Sequence, residues 1–259
     1  MSGEAVVATR RRAHELAHRG ERARLQGDLA GALTLFDEAL ALCPEYPWAL
    51  AHRGATYRLL GAEHYRAAMD DFNRALSLKP DYVWAIAFRA RLHELFRDYA
   101  AALEDFDRAI ARDEHIIGHW RAERAMLLGF LGRFEEAVAQ SDEALAVEPR
   151  DHFAAYARAV HLYLWRGPDA AAEAVAAVRA MLRPLAAGGP EQGIALYRLA
   201  GLDALQGRRA SALHLFTQAK PLEAEAILFA RHDLAWLDFR HESAFQEMVR
   251  DVTGDLTIG

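Results

Sequence analysis

The sequence predicts an all-α fold, a solenoid of about six helix pairs that ends in a C-terminal capping helix segment. The first observation is a recurring pattern: a small residue, in most copies a large apolar residue four positions on, and an alanine three positions further. Its copies are Ala32/Phe36/Ala39, Ala68/Phe72/Ala75, Ala102/Phe106/Ala109 and Ala137/Ser141/Ala144. Successive copies lie 34–36 residues apart, the period of a helix–turn–helix repeat. The second observation is that no segment shows the apolar–polar alternation of a half-buried strand.

The first unit shows how each helix pair is delimited. Gly27 follows the first helix and suits the left-handed turn that closes a helix. Pro44 ends the second helix, because proline has no amide hydrogen. The same pattern predicts repeat units near residues 13–46, 47–82, 83–117, 118–151, 152–192 and 193–220, together an array over 13–220. We expect an N-terminal extension over 1–12 that could continue into the first helix, capping helices over 221–252 (near Leu222–His232 and over Glu242–Val252) and a frayed tail over 253–259.

Three units depart from the regular pattern. The second has about two extra residues in its turn, between Gly61 and His64. The fourth places Ser141 where the large apolar residue belongs, which predicts weaker packing there. The fifth has a longer, alanine-rich second helix and a wider connection through Gly188 and Gly189.

Composition narrows the class of function. The net charge of −6 and the pI near 6.1 argue against a nucleic-acid partner, which requires a basic face. Cys43 is the single cysteine, which excludes an intramolecular disulfide and fits a reducing compartment. No apolar run approaches the ~18 residues of a membrane span, and the N-terminal arginines follow their short apolar stretch, unlike those of a secretory signal. The chain is therefore expected to be cytoplasmic, with neither a nucleic-acid nor a membrane partner.

These residues resemble the tetratricopeptide repeat (TPR) family in its bacterial tandem-array form. A small residue occupies the close-approach position in the first helix of each unit, namely Gly20, Gly54, Ala90, Ala125, Ala159 and Ala200. The second helices supply the alanine–phenylalanine–alanine pattern and its terminal proline. The C-terminal LDFRHESAFQEMVRDV is similar to the capping segment of bacterial members, with Phe239 in place of a leucine. The resemblance covers roughly residues 13–220 and implies a right-handed α-solenoid whose concave face binds a protein or peptide partner.

The resemblance also implies which residues face the concave side. Aromatic and arginine side chains are enriched there, as they are in binding hot spots. The predicted peptide-binding residues are Trp48, Arg58, Trp84, Phe88, Arg91, His119, Phe153, Tyr156 and Tyr197. Trp48, Arg58, Trp84 and Arg91 are expected to be partly accessible along one strip. The alternatives left open are that these rings pack on adjacent helices and that C-terminal helices cover the later tyrosines.

One partner class is excluded by the same resemblance. Family members that bind the acidic C-terminal tail of the large heat-shock chaperones hold its carboxylates with lysine, asparagine and arginine side chains. The matching positions here are Ala17, Glu21, His52, Trp84 and Phe88. The carboxylate clamp is missing, so a chaperone-tail adaptor is not expected.

The hypothesis that the protein is a zinc-dependent enzyme depends on one short motif. His14-Glu15-Leu16-Ala17-His18 matches HExxH, in which two histidines one helical turn apart bind zinc beside a general base. It falls inside a repeat where Leu16 has a packing role, and no third ligand is close in sequence. Phosphate-binding glycine loops and a nucleophile elbow are also missing. The sequence therefore predicts no enzyme, no metal and no cofactor.

The function predicted from the sequence is a non-catalytic scaffold or adaptor that binds a partner segment in its concave groove. Two alternatives remain open. One is a self-assembling structural homo-oligomer. The other is a metal-dependent hydrolase that uses His14, Glu15 and His18.

Overall fold

The computed structural model describes residues 3–112, 117–223, 230 and 233–250. Over these residues the chain forms α-helices, two 3₁₀ helices and no strand. The α-helices are α1 (Gly3–Leu25), α2 (Leu29–Leu42), α3 (Pro47–Leu60), α4 (Tyr65–Leu78), α5 (Val83–Leu95), α6 (Tyr99–Arg112), α7 (Ile117–Phe130), α8 (Phe134–Val147), α9 (His152–Arg166), α10 (Pro168–Ala186), α11 (Gln192–Leu205), α12 (Arg209–Ala219) and α13 (Ser243–Arg250). The 3₁₀ helices are η1 (Ala62–His64) and η2 (Leu234–Phe239). The predicted all-α repeat fold is confirmed. Most of the predicted helix near Leu222–His232, and the tail over 253–259, lie outside the described residues.

The chain divides into two compact units, and each is considered by itself. Unit 1 contains α1 to α6, and unit 2 contains α7 to α13 with η2. Among the helices described in either unit, none combines the length and the apolar character required to span a membrane.

The second helices of three pairs end in the same way. Helices α2, α4 and α8 each end two residues before a proline. The intervening residues Cys43, Lys79 and Glu148 have φ angles of −139°, −140° and −128° and ψ angles of 84°, 86° and 89°. Proline imposes such an extended conformation on its predecessor, because its Cδ clashes with an α-helical one. The N–H group of each predecessor still donates to the alanine carbonyl four residues back, which closes the last turn.

The recurring phenylalanines lie between the helices of their pairs. Phe36, Phe72 and Phe106 are 0% exposed. Gly54 on α3 allows the close approach, because a Cβ there would lie only 3.1 Å from the Ala68 carbonyl oxygen and 3.3 Å from the Phe72 ring. The small residues and phenylalanines thus explain the helix spacing in these pairs of unit 1.

Arginines join consecutive helix pairs in unit 1. Arg53 on α3 donates from Nε and Nη2 to both carboxylate oxygens of Asp71 on α4, at 2.8 and 2.7 Å. Its Nη1 donates to Asp37 on α2, in the preceding pair, at 2.7 Å. The same arrangement recurs one pair later among Arg89, Asp105 and Asn73, at 2.7–2.8 Å. Each guanidinium therefore fixes one helix pair against the next through charge-assisted bonds.

Candidate functional site

Unit 1 carries four stacked aromatic rings, Trp48, His52, Trp84 and Phe88, here called the ring ladder. Consecutive ring centroids are 3.8, 4.1 and 3.9 Å apart, with interplanar angles of 24°, 9° and 22°. Within α3 and within α5 the two rings are four residues apart, which places them one above the other on the helix face. The middle contact, between His52 and Trp84, joins α3 to α5. The ladder therefore results from the sequence repeat, because two consecutive helix pairs of unit 1 contribute two rings each.

The stacking determines which part of each indole is accessible. Trp84 stacks on His52 and on Phe88, and Trp48 stacks on His52 and lies 4.9 Å from the His18 ring of α1. Both tryptophans are half-buried. Through these contacts, Trp84 has two rings stacked against it, and Trp48 has one stacked ring and one tilted ring. A ring edge carries the positive end of the aromatic quadrupole, and the indole edge adds an N–H donor. The ladder is therefore suited to hydrogen-bond acceptors.

Two arginines lie at the Phe88 end of the ladder. The guanidinium carbon of Arg91 is 4.8 Å from the Phe88 ring centroid and that of Arg58 is 5.6 Å away, within the range of cation–π attraction. Arg91 is half-buried, whereas Arg58 is 3% exposed and Phe88 is 8% exposed. The expectation that Arg58 is partly accessible is therefore wrong, because its guanidinium packs beside the Phe88 ring. Both guanidiniums lie at this end of the ladder, and Arg91 is the more accessible of the two.

A largely buried ion cluster fixes the His52 ring. Arg24 donates from Nε and Nη2 to the two carboxylate oxygens of Glu21 at 2.8 and 2.7 Å, and His52 Nδ1 lies 2.9 Å from Glu21 Oε2. Burial acts to raise the pKa of Glu21, but the hydrogen bonds from Arg24 and His52 outweigh it and bring the pKa to about 2. Burial lowers the pKa of His52, and the contact with Glu21 only partly offsets this. The ionised carboxylate thus orients the imidazole within the ladder.

The structure corrects two of the predicted site residues in unit 2. Tyr156 and Tyr197 are 1% and 2% exposed. Both hydroxyls donate to one carboxylate oxygen of Asp233, at 2.6 and 2.8 Å. The rings are therefore buried inside the protein, because a segment after the last repeat packs on them.

Of the other two predicted residues of unit 2, the structure describes the side chain of Phe153 but not that of His119. Phe153 is half-buried, with the Arg198 guanidinium carbon 4.7 Å from its ring centroid. The backbone of His119 belongs to α7, but its side chain lies outside the described residues.

Two residues of the candidate sites were not predicted from the sequence. His52 was considered only as a mismatch to the chaperone clamp, although its position four residues after Trp48 could have identified a stacked pair. Asp233 was not considered. It caps η2 by accepting a hydrogen bond from the Ala235 N–H at 2.9 Å, and an aspartate directly before an apolar run is a recognisable capping signal.

The HELAH segment of α1 has a packing role. Leu16 and Ala17 are 3% and 0% exposed. The His14 ring stacks on Tyr46 with centroids 4.5 Å apart, and His18 contacts the ladder. In the part of the chain that the structure describes, no group of three or more histidine, cysteine or acidic side chains is placed to hold a metal ion.

Comparisons with known proteins agree with this architecture. Residues 20–61 match the family model described as TPR repeat. The structure of PilW, described as a widely conserved type IV pilus biogenesis factor, has a TM-score of 0.64 at 17% identity, over 92% of this chain and 98% of PilW. A tetratricopeptide repeat protein from Parabacteroides merdae has a TM-score of 0.62 at 19% identity, over 92% of this chain and 83% of that one. YrrB, described as a TPR protein with an unusual peptide-binding site, has a TM-score of 0.53 at 21% identity, over 70% of this chain and 91% of YrrB.

At these identities the likeness concerns the fold. Comparison with curated protein sequences gives no significant match. The fold is that of a helical repeat protein and residues 20–61 match the tetratricopeptide repeat model, so the resemblance predicted from the sequence is confirmed at the level of the fold and of this segment.

Proposed function

We propose that the protein is a non-catalytic scaffold that binds an extended segment of a partner protein along the ring ladder of unit 1. One observation carries the proposal: Trp48 and Trp84 are half-buried within the stacked ring ladder, so the ring edges are the surface proposed to meet a partner. Aromatic side chains left at a surface promote association. Tryptophan and arginine are also the residues that dominate binding hot spots.

The ladder favours a partner segment rich in hydrogen-bond acceptors. Ring edges and indole N–H groups attract backbone carbonyls and carboxylates. The half-buried Arg91 adds a guanidinium at the Phe88 end. The segment would therefore carry an acidic side chain near Phe88, while its backbone carbonyls follow the indole edges of Trp48 and Trp84.

Fold and composition support this choice of partner. TPR proteins commonly bind protein or peptide partners, and YrrB, which shares the fold, is described as having a peptide-binding site. The clamp positions hold Ala17, Glu21 and His52 in place of the basic and amide side chains, so the chaperone acidic tail remains a partner that we do not propose. The half-buried thiol of Cys43 fits a reducing, cytoplasmic setting.

Self-association is a second candidate, favoured by one feature of α1. This helix has 23 residues and its partner α2 has 14, and near its N-terminus Val6 and Val7 are 38% and 68% exposed. Exposed valines at the end of a long helix could pair with a second copy. Light scattering over a range of protein concentrations tests this, and a constant monomer mass would exclude it.

The scaffold proposal is tested with a library of acidic and neutral 12-residue peptides displayed against the full chain. Selected peptides are then titrated by fluorescence anisotropy against the parent and against Trp48→Phe and Trp84→Phe variants. Phenylalanine keeps a ring in the stack but removes the indole N–H and part of the edge. We expect acidic peptides to be enriched and each variant to bind at least five-fold more weakly, on the order of 1 kcal/mol.

Trp165→Phe is the matched control. Trp165 is also half-buried, but it lies in unit 2 and contacts Arg166. Its substitution should leave peptide affinity unchanged. Equal affinity of all three variants and the parent would show that the ring ladder is not the binding surface.

A further inference from the structure

The face of α9 and α11 that carries Tyr156, Tyr197 and Gly201, here called the tyrosine face, is occupied by a later part of the same chain. Asp233 lies between the two tyrosines as the acceptor of both hydroxyls, at 2.6 and 2.8 Å. Leu234 follows directly and is 6% exposed. These contacts join residues 77 and 36 positions apart in sequence, so they result from docking and not from chain continuity.

The tyrosine face is shaped for this segment. A Cβ on Gly201 would overlap the Tyr156 hydroxyl. Beside this face, on α7, a Cβ on Gly129 would overlap the His161 ring and would also lie 2.9 Å from the Leu234 side chain. Glycines at these two positions leave room for the hydroxyl and for the leucine. Two buried hydroxyl donors therefore converge on one carboxylate oxygen, next to the buried Leu234 side chain.

The hydrogen bonds to the Asp233 carboxylate allow the tyrosine face to recognise an acidic residue. Burial of a carboxylate is unfavourable unless hydrogen bonds replace its water. Here Tyr156, Tyr197 and the Ala235 N–H supply three such bonds to Asp233. Apolar packing is non-directional and would hold many segments against a repeat array. The hydrogen bonds from two tyrosine hydroxyls to one buried carboxylate instead select a segment that carries an acidic residue at this position.

The segment itself is a short and weakly self-supported element. Residues 234–239 form a 3₁₀ helix of six residues, and hydrogen-bond geometry in such helices is poorer than in α-helices. Trp236 and Phe239 are buried at 0% and 1% exposure, and the Trp236 ring lies 5.3 Å from Phe216 of α12. Its order therefore depends on the surface beneath it.

We propose that the tyrosine face is a second peptide-binding site, whose ligand is an acidic residue followed by a large apolar residue, and that residues 233–239 occupy it as an exchangeable internal ligand. This proposal does not depend on the ring ladder, because it concerns unit 2 and other side chains. A tethered segment has an effective concentration on the order of millimolar, so an external segment of the same chemistry competes only at similar concentration.

The test is hydrogen–deuterium exchange, read by mass spectrometry, on the unmodified full chain. The probe is a synthetic peptide of residues 233–241 at about 1 mM, and the control peptide has alanine in place of its first aspartate. We expect the probe to accelerate exchange of the protein's own residues 233–239 at least three-fold while α9 and α11 stay protected. The control peptide should have no effect. Unchanged exchange with the probe would overturn the proposal. Exchange of residues 233–239 only at the same rate as α11 would also overturn it, because the segment would then open only together with the repeat beneath it.

A variant arm tests the recognition chemistry. The double substitution Tyr156→Phe/Tyr197→Phe removes both hydroxyls but keeps the rings, and it should accelerate exchange of residues 233–239 at least ten-fold. Tyr163→Phe, on the same helix as Tyr156 but without a bond to Asp233, is the control and should leave exchange unchanged. Equal exchange in the two variants would contradict the role of the hydroxyls. If the double variant fails to fold, the peptide competition on the unmodified chain still decides the proposal.

Discussion

His161 is a buried histidine whose two ring nitrogens have no hydrogen-bond partner among the described residues. It is 0% exposed and packs against Gly129, with the Phe134 ring centroid 6.4 Å away. Burial lowers its pKa from 6.5 to about 3, because no nearby group replaces the water that a charged imidazole would lose.

This burial predicts acid sensitivity. Below pH 6.5 the unfolded chain binds a proton at His161 and the folded chain does not, so stability falls as the pH decreases from about 6.5 towards 3. At pH 5 the loss from this residue is about 2 kcal/mol. Urea unfolding of the parent and of His161→Leu at pH 7.5 and pH 5 measures it, since the other titrating groups cancel in the difference. A parent and variant with the same pH dependence would contradict the prediction.

Packing between paired helices predicts unequal effects of two alanine substitutions. Phe106→Ala should destabilise by about 3–5 kcal/mol, because the ring is fully buried and leaves a cavity. Ser141→Ala should change stability by less than about 1 kcal/mol. The Ser141 hydroxyl donates to its own helix, at the Ala137 carbonyl, and does not bridge helices. Chemical denaturation compares the two, and equal losses would mean that the assigned repeat register is wrong.

At the scale of the helices, the ends of the second helices could be predicted because their cause is local. A proline restricts its predecessor whatever the tertiary structure, so Pro44, Pro80 and Pro149 indicated the ends of α2, α4 and α8. The bonds of Arg53 and Arg89 were not predicted, because their acidic partners lie 16 or 18 residues away on other helices. A repeated arginine before the small residue, with an acidic residue before the phenylalanine, was the available signal.

Removal of Arg53 should destabilise the junction between the first two helix pairs. Arg53→Met leaves the 5%-exposed Asp71 without this cation and should lower the free energy of unfolding by about 2–3 kcal/mol, less than a fully buried pair because Arg53 is partly exposed. The double variant Arg53→Met/Asp71→Leu should recover most of that loss. A double-mutant cycle measured by urea unfolding gives the coupling, and additive losses would contradict the interaction.

At the scale of the whole molecule, the repeat fold was predictable and the state of the two candidate binding faces was not. Helical periodicity and the 34–36-residue spacing can be read within one repeat and the next. The structure confirms the fold that they indicated. Trp48 and Trp84 were predicted as binding residues from their equivalent positions in two repeats. The burial of Tyr156 and Tyr197 depends on a segment 36 to 77 residues further along the chain, which no local pattern specifies. Short-range signals thus identify candidate surfaces, and long-range docking decides which of them is occupied.

A partner segment that binds along the indole edges of Trp48 and Trp84 changes the surroundings of their N–H groups. The five tryptophans give five indole N–H signals in a ¹⁵N–¹H spectrum of the full chain, and the remaining three belong to unit 2. Titration with an acidic peptide selected from the library should shift the Trp48 and Trp84 signals and leave Trp120, Trp165 and Trp236 in place. Shifts confined to the unit 2 tryptophans, or binding that moves no indole signal, would contradict the account.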